Sequence, residues 1–179
     1  MARWLPDVEQ IGTNEHLGRR LFDEPTLIGA QDQTPSDRLR LNHFMEKRDG
    51  GMVSFDRMGQ SGIDKRVRGY LVPRATSAAK NFKQPTQFKG WAVIKVKTLK
   101  HPPYGDPVPV VPSPIVGEGE AENIYHAHAI PGRMDFYQMA LHLQYLFSEH
   151  GIIEKFAPDS SRDTRWMRLF VRMRGRLGL

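Results

Sequence analysis

Apolar residues recur along this chain with two periods, and the switch between them marks its elements. The most regular stretch runs from Asn123 to Gly151. Its first part, NIYHAHAI, alternates and reads as a strand, with His126, His128, Ile124 and Ile130 on one face and Tyr125 on the other. A Pro131-Gly132 turn follows. Phe136, Met139, Ala140, Leu143, Leu146 and Phe147 then form a helical stripe that Gly151 is placed to end. Phe88–Leu99 is a second clear alternation: Ala92, Ile94, Val96 and Thr98 share one face, and Val93, Lys95 and Lys97 the other. Met52–Met58 reads as a third strand, with Ser54 and Asp56 on the same side.

Helical spacing is expected in four further places. Ile63, Val67, Tyr70 and Leu71 fit a helix that Pro73 interrupts, giving two pieces between Ile63 and Phe82. Trp166, Leu169, Phe170, Met173 and Leu177 form an apolar stripe over Ser161–Leu177. A short helix with Thr13 as N-cap, carrying Leu17 and Leu21, is expected over Thr13–Phe22. Another is expected from Ser36 through His43 and Phe44 toward Gly50. Between His101 and Glu122, six of the thirteen prolines fall within Pro102–Pro114, so extended, irregular backbone is expected there.

The architecture these elements predict is a single α+β domain. A small, mostly antiparallel sheet of three or more strands is packed by helices at 63–82, 134–150 and 161–177, with a long Pro-rich loop. Residues 1–158 would form the globular core and residues 159–179 a basic amphipathic helix docked on it. At 179 residues the chain is long enough to bury a core without staples.

Composition narrows the chemistry. No cysteine occurs, which excludes disulfides, thiolate metal sites and cysteine nucleophiles. The start lacks a signal-peptide apolar run, and no window approaches the roughly 18 apolar residues that span a bilayer, so a soluble, cytoplasmic protein is expected. Net charge is +6, but residues 159–179 hold six arginines against two aspartates. The body is therefore close to neutral and the C-terminal segment basic.

Two constellations carry candidate chemistry. His126 and His128, two apart on a strand, project together; the pair can contribute to a metal site, act as acid and base on a phosphate, or be hydrogen-bonded core side chains. The metal use lacks the downstream Glu of H-x-H metal strands; His43, Asp135 or His142 would have to complete a set. No metal or other cofactor is expected. Lys95 and Lys97 would supply phosphate-binding charge if their strand face adjoined the histidines. The second constellation is Arg165, Arg168, Arg172 and Arg176, spaced to line one side of a helix and contact nucleic acid or an acidic protein. The function expected is nucleic-acid association, as a ribonuclease-like enzyme using the His-x-His pair or as a non-enzymatic module binding through the arginine helix.

Overall fold

The computed structural model of the chain describes residues 6–7, 9–22, 39, 41–45, 51–60, 64–80, 87–116 and 122–155. Within them lie strands β1 (His16–Phe22), β2 (Val53–Gly59), β3 (Phe88–Lys95), β4 (Val110–Pro112), β5 (His126–Ala129) and β6 (Ile152–Lys155). The helices are α1 (Lys65–Lys80), α2 (Val96–Lys100) and α3 (Phe136–His150), and a 3₁₀ turn spans Leu41–Phe44. The strands form one sheet in the order β4-β5-β2-β1-β3-β6, with every pairing antiparallel.

This corrects the expected α+β arrangement of a small sheet packed by three or more helices. The sheet has six strands and dominates the described residues, whose helices number three, of 16, 5 and 15 residues. The expected helix at 161–177, with its arginines and its docking on a 1–158 core, lies outside the described residues. The sheet is larger than expected because three segments join it against expectation. Thr13–Phe22 was expected as a helix from Leu17 and Leu21, four apart; that spacing also returns to the same face of a strand, and β1 forms. At Gly18 an added Cβ would lie 2.9 Å from Met58 Sδ and 3.0 Å from the Trp91 ring, so only glycine permits this approach between strands. The Pro-rich stretch contributes β4, which pairs on one side only, where Pro112 need not donate to a ladder. After Gly151 the short β6 covers the outer edge of β3.

Two helical boundaries also differ. Pro73 sits inside α1 without breaking it. The carbonyl it cannot serve belongs to Gly69, which is exposed and answers to solvent instead. The Phe88–Leu99 alternation ends at Lys95 because the amides of Val96 and Lys97 bond to the carbonyls of Glu15 (2.9 Å) and Thr13 (3.0 Å), which turns the chain into α2. From the expected helix across 36–50, the described residues retain the 3₁₀ turn.

Apolar residues gather in two clusters. One joins Leu17, Phe55, Ile94 and Ala127 of the strands with Met139, Leu143 and Phe147 of α3, and the rings of Phe55 and Phe147 stack at 5.5 Å. The other joins Met58, Trp91 and Val93 with Val67, Leu71 and Ala75 of α1 and with Tyr125. α3 begins with a capping box, Asp135 accepting from the Gln138 amide at 2.7 Å while Gln138 Oε1 accepts from the Asp135 amide at 3.1 Å. Among the described residues no helix is long and apolar enough to cross a membrane.

Candidate functional site

The alternation of β5 places His126 and His128 on one face, and the antiparallel register sets partners beside them. Asp56 stands opposite His126, and Ser54 opposite His128. The two imidazole rings meet edge to face, with centroids 4.6 Å apart. His126 is 9 % exposed and His128 half-buried. The His126 Nδ1 lies 2.8 Å from the Ser113 carbonyl oxygen, which only accepts, so Nδ1 carries the proton. In the neutral ring the lone pair is then on Nε2, the nitrogen that can take a proton from a substrate. Backbone bonds hold the same pair of residues together, the Ser113 amide donating to the His126 carbonyl at 3.0 Å.

Burial pushes the His126 imidazole below its ordinary value of 6.5, and the charges on His128 and Arg20 push it the same way. The bond to Ser113 and the Asp56 carboxylate act in the opposite sense and are outweighed. At neutral pH the ring is therefore uncharged, the state a general base needs.

Behind the histidines lies a buried carboxylate. Asp56 accepts from Arg20 Nε and Nη2 at 2.7 Å each, from Trp91 Nε1 at 3.0 Å and from Asn123 Nδ2 at 2.9 Å. Burial would raise its pKa, but the Arg20 guanidinium and the hydrogen bonds of Trp91 and Asn123 together hold it below its ordinary value of 3.8. Asn123 also fixes the approach to β5. Its Oδ1 accepts the Tyr125 amide at 3.1 Å and its carbonyl the His126 amide at 3.2 Å.

The lysines do not join this group. Lys95 ends β3 opposite His16, exposed, and Lys97 lies in α2 rather than on the strand. β2 and β1 separate β3 from β5, a lateral distance of roughly 14 Å at the usual strand spacing. Arg165, Arg168, Arg172 and Arg176 lie outside the described residues. Of the residues weighed as additional metal ligands, Asp135 caps α3 and His142 bonds through Nε2 to the Asp106 carbonyl at 3.1 Å. His43 occupies the 3₁₀ turn. Among the described residues no group of three or more His, Asp or Glu is placed to hold a metal ion.

Arg20, Asp56 and Asn123 are the site residues that periodicity alone does not single out. One signal was present: a serine and an aspartate, Ser54 and Asp56, share one face of an otherwise apolar strand. Arg20 carried none, since its segment read as helix. No known protein family, curated protein or solved structure matches the chain.

Proposed function

We propose that this chain processes phosphodiester bonds in nucleic acid, with His126 as general base and His128 as general acid. The observation supporting this reading best is the ring pair itself: two imidazoles in contact, one with its tautomer set by the Ser113 carbonyl so that Nε2 is basic. In RNA the base would take the proton of the 2′-hydroxyl as its oxygen attacks phosphorus, and the acid would protonate the departing 5′-oxygen. Each imidazole then carries out one half of the proton traffic. Lys95 and Lys97 stand too far from the rings for the phosphate-binding part expected of them. The test is incubation of the full chain with a single-stranded oligoribonucleotide and with its deoxy counterpart. Cleavage of the ribonucleotide alone, leaving a 2′,3′-cyclic phosphate, is expected; an intact ribonucleotide across pH 5–8 contradicts the reading.

A second reading rests on a separate observation, the concentration of six arginines in residues 159–179. Here the chain binds nucleic acid or an acidic protein through Arg165, Arg168, Arg172 and Arg176 without turning it over. Deleting residues 159–179 is then expected to abolish the salt-sensitive part of nucleic-acid binding, measured by titration at two salt concentrations. Undiminished binding by the shortened chain contradicts it.

A further inference from the structure

We propose that Arg20 is the phosphate-binding residue of this face, oriented by Asp56 so that its guanidinium grips an anionic oxygen next to His126. The inference takes its substrate class from the acid–base reading above, while its geometry stands independently. Four features carry it.

The first is position. Asp56, the partner of Arg20, is directly opposite His126 in the β2–β5 register, so the guanidinium is tethered to the residue that neighbours the proposed base. Asp56 and Arg20 both act electrostatically on the His126 ring, as groups within charge range of it do. The second is exposure. The Asp56 side chain is sealed at 2 % exposure, whereas the Arg20 side chain keeps 22 %. The ion pair thus buries its negative end and brings its positive end toward the surface.

The third is support. Asp56 does not depend on Arg20 alone, because Trp91 Nε1 and Asn123 Nδ2 also donate to it. Those two donors absorb part of the carboxylate charge, so Asp56 fixes the plane of the guanidinium without saturating its field. A bidentate arginine is held in a plane suited to the paired oxygens of a phosphate, which a lysine ammonium is not. The fourth is that the other cations weighed for this task, Lys95 and Lys97, lie two strands away or off the sheet.

Inorganic phosphate is the probe, and the full chain is the protein. In the wild type, phosphate is expected to shield Arg20 from phenylglyoxal, read by mass spectrometry of the modified peptide. Arg20→Lys, which keeps the charge and loses the fork, is expected to bind phosphate at least tenfold more weakly in calorimetric titration. The double variant His126→Ala with His128→Ala is expected to bind phosphate still, having lost only the proton-transfer groups. Equal modification of Arg20 with and without phosphate overturns the proposal. So does an Arg20 that the reagent never reaches, or a folded Arg20→Lys protein with unchanged affinity. If Arg20→Lys does not fold, the shielding measurement on the wild type decides alone. Shielding of Arg20 in a protein that leaves RNA intact upholds the phosphate site and refutes the acid–base reading, so the two fail separately.

Discussion

Replacing Glu15 with alanine is expected to lower folding stability by about 3–5 kcal/mol, the usual cost of stranding one member of a buried ion pair. Arg57, only 1 % exposed, directs Nε and Nη2 to the two Glu15 oxygens at 2.9 and 2.8 Å. Its remaining bonds go to the carbonyls of Asp7 and Gln10, and Glu15 Oε1 also accepts the Gly12 amide at 2.8 Å. The pair therefore ties residues 7–15 to the end of β2. Without the carboxylate, a guanidinium is left in the interior with two neutral carbonyls, and its charge is no longer compensated. Glu15→Gln keeps the shape and one acceptor, so it should cost less than alanine. Denaturant unfolding of the two variants checks both the size and the order. An alanine variant within 1 kcal/mol of wild type, an amount within reach of an ordinary surface change, would show that Arg57 finds compensation elsewhere.

The second large effect concerns activity. His126→Ala together with His128→Ala is expected to reduce ribonucleotide cleavage by roughly 10²–10⁴-fold, the range that positioned proton transfer contributes. Either single change should cost most of that factor, because the two imidazoles act in one step and their losses do not add. The strand should survive the double change. Ala127 and Ala129, on the other face of β5, are fully buried with the α3 cluster, and the backbone bond between Ser113 and the His126 carbonyl needs no side chain. Cleavage and the thermal midpoint belong in the same experiment. Loss of cleavage with a steady midpoint assigns the histidines to chemistry; a collapse of the midpoint assigns them to the interior.

The parts of the fold legible in the chain are those where one period held without competition. β2, β5 and α3 lie where the alternation and the helical stripe put them. The failures have local causes. Leu17 and Leu21 satisfy both periods, and only the contacts of Gly18 with Met58 and Trp91 choose the strand. Val96 and Thr98 continue the alternation of β3, yet the carbonyls of Glu15 and Thr13 claim the next two amides and end it. β4 hides among prolines because an edge strand tolerates them. β6 is four residues long, too short to show a period.

The candidate site divides in the same way. The shared face of His126 and His128 is a local property of a strand and could be read directly. What surrounds the pair is set by the strand order, which brings β2 against β5 and keeps β3 away. The lysines were attractive because Lys95 and Lys97 sit on the strand-like segment nearest in sequence to β5. Strand neighbours are not chosen by that distance alone. Asp56 and Arg20 enter from segments 70 and 106 residues before His126, a juxtaposition that no spacing within either segment announces.

The central claim is that His126 is the base, and its titration is the most direct test. Protonation removes the Nε2 lone pair, so cleavage should fall as pH drops through the His126 pKa, which burial holds below 6.5 against the pull of Asp56. The same shift makes protonation unfavourable to the folded state. Its contribution to stability is complete above about 6.5 and declines as pH falls below that value. The measurement is the ring titration of His126 by NMR in the wild type, set beside the acidic limb of the pH–rate profile for ribonucleotide cleavage. Two curves with a common midpoint below 6.5 are predicted. An acidic limb that departs from the His126 titration, or a His126 ring still charged at pH 7, would contradict the account.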